Sequence, residues 1–157
     1  MILSLALSLI WLSLESNACP DGFVKFQQSC YHFSHDQETW FDAALACQTV
    51  FNKAYLAEID SQAENQFLLH YAANARTDYW LGATDLQVDC TFRWQHSQEV
   101  VGTNFRSWSP GNPSGGPENC MEIVIELDHI GYWNDQTCHD YQNYVCEIED
   151  SNPEIVG

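Results

Sequence analysis

Basic residues are scarce in this sequence: five Lys and Arg stand against 22 Asp and Glu, for a formal charge of -17 at neutral pH. A field of that sign repels phosphate backbones and anionic lipid surfaces, which argues against nucleic acid and membrane surfaces as partners. Divalent cations and neutral ligands fit it better. Beyond the first residues the chain also lacks any apolar run of roughly 18 residues, the length needed to cross a bilayer, so no membrane insertion is expected. There is no HExxH, no serine-elbow pattern and no internal repeat. His35-Asp36, Asp128-His129 and His139-Asp140 are sequence neighbours, whose side chains seldom point to one place, so no enzyme is expected. An N-glycosylation sequon is missing too, since the proline of Asn112-Pro113-Ser114 disqualifies it.

What is present begins with an apolar stretch, Ile2 to Leu14, followed by the small residues of Glu15-Ser16-Asn17-Ala18. Residues 1–18 therefore read as a secretory signal peptide, and the protein as secreted. Without Glu15 the remainder has 21 acids and 5 bases, a net charge of -16. Residues 19–149 have the size of one domain, with enough aromatic side chains for a core. Residues 150–157, acidic and turn-rich, read as a flexible tail. All seven cysteines follow the signal, which in an oxidising compartment implies a disulfide framework with one thiol left over. Spacing alone does not choose among the possible pairings.

The stretch "CPDGFVKFQQSCYHFS" alternates apolar and polar residues after a Pro20-Asp21-Gly22 turn and predicts a hairpin. In "SHDQETWFDAALACQTVF", Trp40, Ala43, Ala44 and Cys47 recur at helical spacing, with Ser34 or Asp36 as the expected cap. A second helix follows in "SQAENQFLLHYAANA", where Ser61 and Glu64 form a capping box and Phe67, Leu68 and Tyr71 supply the apolar stripe. From Asp78 onward the chain turns to short strand-like pieces, "YWLGA", "TFRW", "CMEIVIE" and "NYVCEIE", between loops rich in Gly, Pro, Asn and Asp. Helices followed by strands predict an α+β fold with two helices packed on antiparallel sheets.

The succession "CPDGF", "TWFDAALAC", "YWLGA", "FRW", "PENC", "YWNDQTC" and "YVCE" resembles the C-type lectin-like domain across the whole of residues 19–149. The resemblance implies that fold, with a long calcium and ligand loop region, and the pairs Cys19–Cys30, Cys47–Cys146 and Cys120–Cys138. It implies a calcium ion held by oxygen atoms of Asn112, Ser114, Glu118, Asn134 and Asp135, with Pro113 as a cis proline between the first two. Calcium takes roughly 6 to 8 oxygen ligands, and a sugar diol can replace its water, so the same five residues are the implied sugar-binding set. Asp85, Asp89, Gly115, Glu118 and Asn119 occupy the places of an auxiliary calcium position in which two acids are missing; Asp85 and Asp89 read instead as loop-capping acids.

Asn112 is shorter than the family's Gln or Glu, and Ser114 offers a hydroxyl where relatives have an amide or a carboxylate. Two ligand carboxylates remain, Glu118 and Asp135, which implies weaker calcium binding. An amide in the first place leans toward galactose-type sugars. No aromatic follows the motif to stack on a sugar; Trp108 reads as framework and Tyr132 as a remote stacking candidate. Cys90, without a partner in this framework, is expected either to join two chains as a disulfide-linked homodimer or to remain a buried thiol. The expected function is a secreted calcium-dependent lectin for glycans of microbial or cell surfaces, in defence or agglutination. The alternative is a calcium-independent scaffold that binds protein or a mineral surface.

Overall fold

The structure, a computed structural model, describes residues 19–125 and 131–149. The expected signal peptide at 1–18 and tail at 150–157 lie outside them. A hairpin, β1 (Val24–Phe26) and β2 (Ser29–Phe33), opens the fold, and helix α1 (Trp40–Val50) follows. Its cap is neither Ser34 nor Asp36 but Thr39, whose hydroxyl accepts from Asp42 N at 3.2 Å. Ser34 is occupied elsewhere: its hydroxyl accepts from Tyr144 N at 2.8 Å, so a contact 110 residues away outcompetes the local one. The helix buries Trp40, Ala43, Ala44 and Cys47.

After β3 (Tyr55–Leu56) comes helix α2 (Gln62–Ala75). Ser61 caps it, accepting from Glu64 N at 3.2 Å. The reciprocal half of the expected capping box is displaced by one residue, because the Glu64 carboxylate takes Asp60 N at 3.0 Å. The helix turns Leu68 and Ala72 fully inward, while Phe67 and Tyr71 stay half-buried against Phe33.

The strand half consists of β4 (Tyr79–Thr84), β5 (Arg93–Trp94), β6 (Cys120–Ile125), β7 (Gly131–Gln136) and β8 (Asn143–Glu149). They form one sheet in the order β1-β2-β8-β4-β6-β7, with β3 added on β8 and β5 on β4. The sheet is mixed, where the sequence order suggests antiparallel pairing throughout: β4 runs parallel to β8, Tyr79 opposite Asn143 and Trp80 opposite Tyr144. The long segment between these strands removes the constraint that makes short connections antiparallel. Gly82 lies where β4 crosses β3, and a Cβ there would strike the carbonyl oxygen of Leu56.

Two packed clusters form the core. One gathers Tyr31, Leu68, Leu81, Trp94, Met121, Ile123 and Trp133 between α2 and the sheet; the other gathers Trp40, Leu56, Trp80 and Tyr144 around α1. Disulfides join Cys19–Cys30, Cys47–Cys146 and Cys120–Cys138, the three pairs that the resemblance implies. Cys47–Cys146 ties α1 to β8 across a separation of 99 residues. A loop of about that length makes a cross-link worth roughly 4 to 5 kcal/mol of unfolded-chain entropy.

Candidate functional site

The site is built outward from Trp133. Its indole is fully buried, meets Trp94, Phe105 and Trp108 edge-on, and donates Nε1–H to Asn65 Oδ1 at 2.8 Å. Its backbone holds the incoming loop: Trp133 N donates to Ser107 O at 2.8 Å and Trp133 O accepts from Ser109 N at 3.0 Å. Asn112 N closes back on Ser109 O at 3.0 Å, and the Asn112–Pro113 peptide is cis. The two residues flanking Pro113 are thereby delivered to the end of β7, beside Asn134 and Asp135. Trp108 is half-buried framework on Phe92 and Trp133, and Tyr132 is half-buried on β7 opposite Val124.

The five implied ligands fall into two connected groups. In the first, the amide nitrogen of Asn112 donates to Asn134 Oδ1, and also to Ser109 Oγ at 2.7 Å. Asn112 thus turns its nitrogen, and not its carbonyl, toward Asn134. In the second, Ser114 lies between the two carboxylates, donating to Glu118 Oε2 at 2.5 Å and sitting 3.3 Å from Asp135 Oδ2. Gly115 N donates to the same Asp135 oxygen at 2.7 Å. The φ of +76° at Gly115 suits a residue without a Cβ. Asp135 is fully buried, and its Oδ1 is the one buried side-chain nitrogen or oxygen without a hydrogen-bond partner among the described residues.

At the auxiliary position Asp85 is itself buried, and neutral donors occupy both of its oxygens: Asn119 Nδ2 at 2.8 Å and Cys90 N at 2.8 Å. It clamps the loop. Cys90, beside them, is exposed and unpaired, which corrects the buried-thiol alternative. The loop carries it outward at a φ of +59°, with its sulfur facing Gly115. The negative charge of Asp89, with Asp85 and Asp135 behind it, pushes the Cys90 thiol up.

Glu122 is a buried neighbour of the site that motif reading passes over. It stands on β6 directly opposite Asn134 and is buried, and Asn134 Nδ2 donates to its Oε1 at 2.6 Å. Gln142 Nε2 donates to its other oxygen. Burial pushes the carboxyl upward, and the two amide donors pull it back. The sequence signal is a lone acid within the apolar run "CMEIVI", legible only once the register of β6 against β7 is known.

A second set of acids joins β2, α2 and β8. Tyr31 Oη donates to Glu64 Oε1 and lies 3.3 Å from Glu147 Oε1. They line a cleft of about 430 Å³ with Tyr55, Glu58 and Phe105. Burial raises Glu64 to about 7; burial and the charge of Glu64 raise Glu147 to about 8.

The family description "Lectin C-type domain" matches residues 36–148 of the chain. Perlucin of Haliotis laevigata is 34% identical over 135 residues, which cover 83% of either chain. Lectin BRA-3 of Megabalanus rosa is 35% identical over 133 residues, 83% of this chain and 78% of the relative. Among solved structures, the carbohydrate-recognition domain of the mouse scavenger receptor C-type lectin superposes with a TM-score of 0.75 at 29% identity, covering 86% of this chain and 99% of its own. Among the described residues no helix is long and apolar enough to cross a membrane. The matched span takes in α1, α2, the Trp133 anchor and the loop it holds, and the chain belongs to the C-type lectin domain family.

Proposed function

We propose that this protein is a secreted, calcium-dependent lectin that binds terminal sugars, galactose-type by preference, on microbial or cell-surface glycans, in defence or agglutination. The observation that carries this reading is Asp135. A carboxylate oxygen buried without a partner is costly, and here it belongs to the residue whose other oxygen the calcium loop already grips. Among the described residues no three His, Cys, Asp or Glu side chains gather into a metal site. The donor set that fits is therefore mixed: the carboxylates of Glu118 and Asp135 with the neutral oxygens of Asn112, Ser114 and Asn134. Oxygen-only donors of this kind suit calcium.

Calcium, when bound, supplies coordination places that two sugar hydroxyls can share. The chain supplies the rest. Asp135 and Glu118 bring the negative charge, Asn134 offers its carbonyl oxygen, and Asn112 would have to turn its carboxamide over to offer its own. Trp133 keeps the loop seated while these groups rearrange. With two carboxylates, affinity falls below that of a site with three. A covalent dimer through the exposed Cys90 would compensate by avidity; the surrounding acids slow its oxidation by disfavouring the thiolate. Non-reducing electrophoresis of the secreted protein, beside Cys90→Ser, reports that link directly.

The test of the main reading is retention on immobilised galactose, mannose and N-acetyl sugars, with calcium and then with chelator. Retention that survives chelation on every sugar defeats it. One observation favours the alternative, a calcium-independent scaffold for protein or mineral surfaces: Ser114 bonds Glu118 and Asn112 bonds Asn134, so much of the loop satisfies itself. Calorimetric titration with calcium separates the two readings.

A further inference from the structure

Asn134 can offer a metal its oxygen only if its carboxamide faces the right way, and the two ends of a carboxamide are nearly the same size. Shape does not choose between them. The neighbour across the ladder does. Glu122, 3% exposed and opposite Asn134 in the β6–β7 register, accepts Asn134 Nδ2 at 2.6 Å on one oxygen and Gln142 Nε2 on the other. A carboxylate only accepts, so whatever amide faces it must present N–H. With Asn134 Nδ2 held this way, Asn134 Oδ1 is turned toward the loop, where it meets Asn112 Nδ2. A buried carboxyl is expensive to leave without donors, and this one, with an amide on each oxygen, sits one side chain away from the loop.

We infer that Glu122 is a positioning residue: it touches neither calcium nor sugar, and it sets which end of the Asn134 carboxamide faces the calcium loop. The inference rests on the reading of Asn134 as a ligand. Gln142 is its second half, because it holds the far oxygen of Glu122 and so fixes the plane of the carboxylate.

The test exchanges the two ends of the chain of hydrogen bonds. E122Q offers one acceptor and one donor, so Asn134 loses its lock. In E122Q/Q142E the new carboxylate at position 142 accepts only, which draws toward itself the nitrogen of the new carboxamide at position 122 and returns that carboxamide's oxygen to Asn134. Two readouts are needed. In the metal-free, ¹⁵N-labelled protein, the Asn134 side-chain amide should exchange slowly with water in the wild type and in the exchanged pair. It should exchange about tenfold faster in E122Q, as for one lost oriented hydrogen bond. In calorimetry, calcium Kd should weaken by about tenfold in E122Q and return to within about threefold in the pair.

Wild-type amide protection and wild-type calcium affinity in a folded E122Q overturn the inference. So does a pair that melts like the wild type and recovers neither readout, which would make Glu122 merely structural. If E122Q fails to fold, the wild-type spectrum decides, since an unprotected Asn134 amide is incompatible with the lock. If the wild type takes up no calcium, the calcium reading falls by itself, and the amide readout still decides whether Glu122 orients Asn134.

Discussion

Asp135 and Glu147 are both buried acids on strands of one sheet, 0% and 5% exposed, yet their surroundings differ in kind. Asp135 is met on one oxygen only, by a donating backbone N–H and, at 3.3 Å, the Ser114 hydroxyl, with the half-buried Glu118 nearby. Glu147 is met by Glu58 N at 3.1 Å and shares Tyr31 with a second buried acid, Glu64. The first arrangement leaves an oxygen open beside a polar loop, which suits a cation. The second crowds two carboxylates around one hydroxyl and holds both well above the ordinary carboxylate range. A buried carboxylate thus behaves differently depending on whether its neighbours supply hydrogen bonds or further negative charge.

The comparison breaks most sharply at Asp135. Asp135→Ala removes half the ligand carboxylates and should abolish calcium uptake in calorimetry, whereas Glu147→Gln should leave it unchanged. Calcium binding that persists in Asp135→Ala would place the cation elsewhere in the molecule. The next effect belongs to Glu64 and Glu147. Their folded values, about 7 and about 8, lie above the unfolded carboxylate value of about 4.3. The folded state therefore holds more protons between those limits. Stability is fully present below the unfolded value and is lost as pH rises through the folded ones. Urea melts in chelator should show a loss on the order of a few kcal/mol between pH 5 and 9. Glu147→Gln should flatten that slope, and a wild-type curve that rises with pH would contradict the assignment.

Much of this architecture is legible in the chain, and what escapes has a common cause. Trp40, Ala43, Ala44 and Cys47 mark α1 by periodicity, and Ser61 marks the start of α2, because both signals are local. Trp133-Asn134-Asp135 gains meaning from the likeness of the whole chain to one family. Thr39 replaces Ser34 as a cap because Tyr144, far along the chain, takes the Ser34 hydroxyl. The parallel pairing of β4 with β8 joins segments that no local pattern relates. Glu64 looks like half of a capping box and becomes a partner of Tyr31, while Glu122 becomes visible only through the register that places it opposite Asn134. Periodicity and caps can be read one segment at a time; a carboxylate's role depends on which segments meet.

A smaller change sharpens the loop side of the comparison. Ser114→Asp puts a third carboxylate between Glu118 and Asp135, where the hydroxyl now lies 2.5 Å and 3.3 Å from their oxygens. Calcium affinity should rise by about tenfold, since affinity follows ligand charge. Without calcium the added repulsion should cost roughly 1 kcal/mol in a chelator melt. An affinity that falls would mean the hydroxyl is needed as a donor to Glu118 more than a third charge is needed by the metal.

The mildest change tests the other side. Tyr31 has one hydroxyl proton and two acids within reach, so it can serve Glu64 or Glu147 but not both. In Tyr31→Phe at pH 6 the acids are largely protonated, and the loss should be about 1 kcal/mol, that of one net hydrogen bond. At pH 9 both are charged and neither has the hydroxyl, so the loss should grow. A cost that is flat with pH would mean that Tyr31 contributes packing alone. Calcium affinity in Tyr31→Phe should match the wild type, because the hydroxyl belongs to a network of α2, β2 and β8 that, among the described residues, shares no hydrogen bond with the loop; a changed affinity would show that the two sets of acids are energetically coupled through the core between them.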